Sequence, residues 1–142
     1  MKDKVFVDTN ILVYAIDSSP SLASKRDAAR SIIREQILDE SGVISVQVLQ
    51  EFFATATSKI QATISAEEAL EFLNYISVME TVVPDFPMIV SAIRLHQRHA
   101  LSFWDAMIVQ AAAAANCHLL LSEDMQDGLQ IDSLTIRNPF RR

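Results

Sequence analysis

Four acidic residues stand in surroundings that make a carboxylate costly. Asp8 interrupts the apolar run KVFVDTNILVYAI, and Asp105 lies within LSFWDAMIVQAA among Phe103, Trp104, Met107, Ile108 and Val109. Glu51 sits in SVQVLQEFF on a stripe with Gln47 and Thr55, and Asp124 follows the run HLLLS. A partly desolvated carboxylate is unfavourable unless hydrogen bonds, a counter-charge or a metal compensate it. If several of them converge on one cleft, they repel strongly at low dielectric, and divalent cations with all-oxygen ligation hold such groups ionised. Hard oxygen donors without cysteine or paired histidine point to Mg²⁺ or Mn²⁺ in place of zinc. Each acid also has a purely structural account. Asp8 can cap a helix, Asp105 can complete a capping box with Ser102, Asp124 can serve a turn, and Glu51 can face water.

The elements that must position these residues read as strands alternating with helices. VFV is a buried strand that runs into a helix beginning near Asn10, and the span from Ser21 to Asp39 is helical, with Arg26, Arg30 and Arg34 along one exposed stripe. GVIS is a second strand, ETVVP a third and HLLLS a fourth. Between them, Ser45, Ser65 with Glu68, Asp85 with Pro87 behind it, and Ser102 are start signals for four further helices. Trp104 and Met107 are expected in the core. Short, unbroken Val and Leu strands separated by helices predict an α/β fold, with an open, mainly parallel twisted sheet flanked by helices in three layers. In such sheets ligands gather beyond the carboxyl ends of the strands, where Asp8 and Asp124 fall.

Composition narrows the choice. A chain of 142 residues, half of them hydrophobic, suits one domain over residues 1–142. With only Gly42 and Gly128 available, neither a phosphate-binding loop nor a glycine-rich dinucleotide fingerprint can be written. The single cysteine, Cys117, cannot form an internal disulfide, and Asp8 and Asn10 break the only stretch resembling a signal segment, so the expected location is the cytoplasm, with no membrane association. A formal charge of −6 opposes non-specific attraction of nucleic acid.

The segments VFVDTNILVYA, SVQVLQEFF, LSFWDAMIVQAA and LLLSEDMQDG, taken together and in this order, resemble the PIN-domain ribonucleases, nearest to the VapC-type toxins of bacterial toxin–antitoxin pairs. The resemblance implies a metal-binding quartet on Asp8, Glu51, Asp105 and Asp124, with Thr9, Asn10 and Ser122 as supporting groups. It further implies Mg²⁺-dependent hydrolysis of RNA phosphodiester bonds, with Mn²⁺ able to substitute, a homodimer, and a cognate antitoxin as inhibitor. The pattern departs at Gln126, where members of the family place a further acid; here Asp127 stands one residue later.

Two other readings compete. A PIN-like module that only binds a partner protein would use the acids as caps. A phosphatase-type phosphoryl-transfer enzyme would resemble Asp-x-Asp at the first strand end, where this chain has Asn10 as the second position. On the nuclease reading, the rows Arg26, Arg30, Arg34 and Arg94, Arg98 are candidates for guiding the RNA backbone. A mean hydropathy of +0.20 predicts apolar surface hidden in a subunit interface.

Overall fold

The computed structural model describes residues 3–141. Its centre is strand β1 (Val5–Val7), buried at every position because the sheet continues on both sides of it. β1 pairs in parallel with β2 (Gly42–Ser45) on one edge, Val5 opposite Gly42, and with β4 (Leu119–Leu121) on the other, Val7 opposite Leu121. β3 (Glu80–Val82) extends the sheet beyond β2. On the opposite side a hairpin closes it: β6 (Leu134–Arg137) runs parallel to β4 and β5 (Gln130–Ile131) antiparallel to β6. The order is therefore β3-β2-β1-β4-β6-β5, the expected open, mainly parallel sheet with one antiparallel edge.

Among the described residues six α-helices cover it in two groups. α1 (Thr9–Ile16) packs on α2 (Ala23–Leu38) and α3 (Val46–Ser58), and α3 in turn on α4 (Ala66–Ile76), where Phe52 and Phe72 stack with ring centroids 5.0 Å apart. α5 (Phe86–Arg98) and α6 (Phe103–Ala114) pack on each other, and α6 reaches β2 and β4. Short polar side chains start the helices as their positions predict. Ser45 accepts from Val48 N, Asp85 from Met88 N and Ser102 from Asp105 N, and Ser65 with Glu68 forms a reciprocal capping box. No helix among the described residues is long and apolar enough to cross a membrane.

Two expectations are corrected. Trp104 is not in the core: it is 62% exposed, because it occupies the first turn of α6, ahead of the point where Ala106, Met107, Ile108 and Val109 bury against the sheet. Met107 is buried as expected. The second correction concerns the arginine row. Arg26 Nη1 donates to the carbonyls of Asp17 (2.8 Å) and Ser19 (3.2 Å), and Arg30 Nε donates to Ala15 O (2.8 Å). These are carbonyls at and beyond the end of α1 that the helix itself leaves without partners, so both cations are engaged in closing that end.

Candidate functional site

The sheet delivers Asp8 and Ser122 to adjacent strand ends. Asp8 N bonds to Leu121 O at 3.0 Å and Ser122 N to Arg137 O at 3.0 Å, so the ladders β1–β4 and β4–β6 extend one residue past the strands and fix both backbones. Across this junction Ser122 Oγ donates to Asp8 Oδ2 at 2.7 Å, and both side chains are buried. The other carboxylate oxygen, Oδ1, accepts from Thr9 N at 2.7 Å, making Asp8 the N-cap of α1. The structural account of Asp8 is thus correct, yet it leaves lone pairs on both oxygens for a further ligand. Burial pushes the Asp8 carboxyl up to about 6; the bonds from Ser122 and Thr9 oppose that rise, and the negative charges of Asp124 and Glu51 add to it.

The remaining acids approach from three other elements. Glu51, on α3, accepts from Thr9 Oγ1 at 2.9 Å and from Gln47 Nε2 at 3.4 Å, so it is turned toward α1 and does not simply face water. Gln47 Nε2 also donates to Trp104 O at 3.2 Å, tying α3 to the first turn of α6. Asp105, in that turn, is half-buried; desolvation raises its carboxyl above the ordinary range, and Asp124 and Glu51 raise it further, against the Ser102 hydrogen bond. Asp124 is exposed and donates its backbone N–H to Ser122 Oγ at 3.3 Å. Asp8 and Asp105 thus each feel the charges of both Asp124 and Glu51. Asp127 does not join them, because its Oδ1 accepts from Asn138 N at 2.8 Å and anchors the end of β6.

A cleft of about 600 Å³ opens beside these groups, lined by Thr9, Asn10, Glu51, Lys59 and Asp124 among others, and a second of about 360 Å³ opens between Asp105, Asp124, Gln126 and the end of α5. Among the described residues none of the four carboxylates has a basic side chain in ion-pair contact. Glu123, their neighbour, does: Lys25 Nζ and Tyr14 OH both bond to it, which keeps its charge apart from the group. Two observations fit a hard divalent cation here. The donors are all oxygens that repel one another without a counter-charge, and the side chain of Asn10 has both polar atoms buried with no partner among the described residues. Among the described residues no three His, Cys, Asp or Glu groups form a ready-made cage.

Reasoning from sequence missed the β5–β6 hairpin that holds Ser122 from behind; its signal is the alternation of Leu134 and Ile136 after a turn at Asp132, whose φ is 53°. No curated protein matches the chain. Similar solved structures include a toxin–antitoxin complex from Klebsiella pneumoniae, 18% identical over 98% of this chain and 100% of that one, with a TM-score of 0.69. DNA-bound VapBC from Salmonella typhimurium is 19% identical over 97% and 99% of the two chains, with a TM-score of 0.67. Mycobacterium tuberculosis VapC20, described as a sarcin-ricin loop cleaving toxin, is 14% identical over 85% and 90%, also with a TM-score of 0.67. These likenesses establish the shared fold. The PIN domain family model matches residues 5–126, from the start of β1 to beyond Asp124, and the chain belongs to the PIN domain family.

Proposed function

We propose that this chain is a metal-dependent endoribonuclease, the toxin of a toxin–antitoxin pair. The observation that carries the proposal is the buried Asp8 carboxylate at the end of β1, bonded to Ser122 at the end of β4 and repelled by Asp124 and Glu51, with no basic partner among the described residues. Asp8 and Asp105 would bind the cation directly, and Glu51 and Asp124 would complete its surroundings. When bound, Mg²⁺ or Mn²⁺ supplies the positive charge that in-line hydrolysis of a phosphodiester needs on its reacting oxygens. Ser122 serves as an orienting group, its hydroxyl donating to Asp8 and its oxygen accepting from Asp124 N. Thr9 holds Glu51 in place through its hydroxyl, and Asn10 has an uncommitted amide at the cleft for water or substrate.

RNA is the favoured substrate because one structural neighbour is described as a sarcin-ricin loop cleaving toxin. An antitoxin partner is favoured because other neighbours are toxin–antitoxin complexes. A groove of about 260 Å³ lined by Ile16, Ile33, Phe72 and Tyr75 together with Arg30 and Arg34 offers that partner a mixed apolar and basic seat. A homodimer is supported by α5, which exposes Phe86, Ile89, Val90 and Ile93 at helical spacing, an unpartnered stripe continued by Val83. The test is incubation of purified, antitoxin-free protein with total RNA in Mg²⁺ and in EDTA, with the cut ends mapped. Discrete cuts that need the metal support the proposal, and cutting that persists in EDTA overturns it.

A further inference from the structure

The two clefts beside the acids share Asp124 in their walls, so they adjoin at the acidic centre as two arms on either side of that residue. Each arm carries one obligate cation. In the larger it is Lys59, which follows the last turn of α3; in the smaller it is Arg98, the last residue of α5. Both side chains are exposed, and neither has an ion-pair or hydrogen-bond partner among the described residues. This sets them apart from the other basic groups nearby. Lys25 is held by Glu123, and Arg26 and Arg30 are held by carbonyls at the end of α1.

We propose, resting on the nuclease reading above, that the two arms form one trough along which a single strand of RNA lies, with Lys59 and Arg98 each binding a backbone phosphate, one on either side of the cut. A chain with a net charge of −6 and four unneutralised acids at its centre repels a polyanion, and a cation bound at the acids neutralises only the middle of the path. Uncommitted positive charge is needed on both arms to hold the flanking phosphates, and the two arms supply one such group each. Phosphate contacts of this kind fix the register of the strand and carry no base preference, so the pair positions the substrate and does not choose its sequence.

The experiment compares wild type with Lys59→Gln, Arg98→Gln, the double variant and the charge-conserving Lys59→Arg. Cleavage of a single-stranded oligoribonucleotide with Mn²⁺ gives kcat and KM. Fluorescence anisotropy over a range of salt concentrations gives affinity for the same oligonucleotide, with Asp105→Asn added to each protein so that the RNA stays intact. Each Gln change should raise KM and Kd several-fold with kcat nearly constant and lower the slope of log K against log salt by about 0.7, the double by about twice that, while Lys59→Arg stays close to wild type. Equal slopes and affinities in all proteins overturn the trough, as does a loss confined to kcat. Wild type that cuts no RNA while the slopes still fall overturns the nuclease reading and leaves the trough standing.

Discussion

Ser122 Oγ donates a 2.7 Å hydrogen bond to Asp8 Oδ2 across 114 residues of sequence, and together with the bond from Thr9 N it favours the ionised form of a buried acid. Burial alone favours the neutral carboxyl; the serine hydroxyl favours the anion. In Ser122→Ala the Asp8 carboxyl should therefore titrate higher than about 6. A hydrogen bond to a charged group contributes about 1.5–3 kcal/mol, so the rise should be on the order of one to two pH units. A direct titration of the Asp8 carboxyl in the metal-free protein should show that rise, and an unmoved titration counts against the role given to Ser122.

The same titration sets the stability of the metal-free protein. Asp8 has a folded pKa of about 6 against 3.8 for the ordinary side chain, so the folded state holds its proton more tightly. The resulting stabilisation is present below pH 3.8 and is lost as pH rises through 6, and it amounts to roughly 3 kcal/mol. Asp8→Asn removes the charge but keeps a cap for α1, so its metal-free form should melt at or above wild type at pH 7.5. Asp8→Ala loses the cap as well, worth about 1 kcal/mol, and should melt below Asp8→Asn. Mn²⁺ at a hundred times its Kd should stabilise wild type by about 2.7 kcal/mol and leave both variants unmoved. Equal Mn²⁺ shifts in all three would show that Asp8 is only a cap.

Asp124 should be the least demanding of the four acids. It is exposed, and the hydrogen bond it gives the site is a backbone N–H to Ser122, which Asn retains while removing only the charge felt by Asp8 and Asp105. Asp124→Asn should keep cleavage within about tenfold of wild type, whereas Asp8→Asn and Asp105→Asn should lose more than about a hundredfold, beyond the loss usual for groups that only orient a ligand. Similar losses in all three would remove this ranking.

The exposed stripe on α5 predicts self-association. Replacing Ile93, near the middle of the stripe, by Glu should convert a dimer to a monomer in light scattering without lowering the melting temperature by more than about 1 kcal/mol equivalent, since Ile93 is already solvent-exposed in one chain. A wild type that is monomeric at micromolar concentration would remove the stripe from consideration.

What could be read from the sequence was what local physics decides. Strand ends, helix caps at Ser45, Ser65, Asp85 and Ser102, and the parallel sheet all follow from side chains acting within a few residues of themselves. Asp8 and Asp105 were legible because a carboxylate in an apolar run demands an explanation. The direction of Glu51 was not, since it depends on Thr9, 42 positions away. Arg26 and Arg30 sit at the spacing of a solvated stripe, but the end of α1 passes beneath them and takes their donors. Trp104 looked like core by its type and neighbours; only the position of α6 against the sheet puts it outside.

The strand order β3-β2-β1-β4-β6-β5 has a consequence for synthesis on the ribosome. The half-sheet β3-β2-β1 is complete once residue 82 has emerged, and it carries Asp8 and Glu51 alone. Asp105 and Asp124 arrive with the second half, and β4 is flanked on both sides only after β6 has been made. A nascent chain thus passes through a stage in which β1 offers an open edge and half of the acidic residues, with no assembled centre. A chain cut between the halves, as at the exposed Ala100, should give two fragments that are each inert and regain the site only by docking β4 against β1.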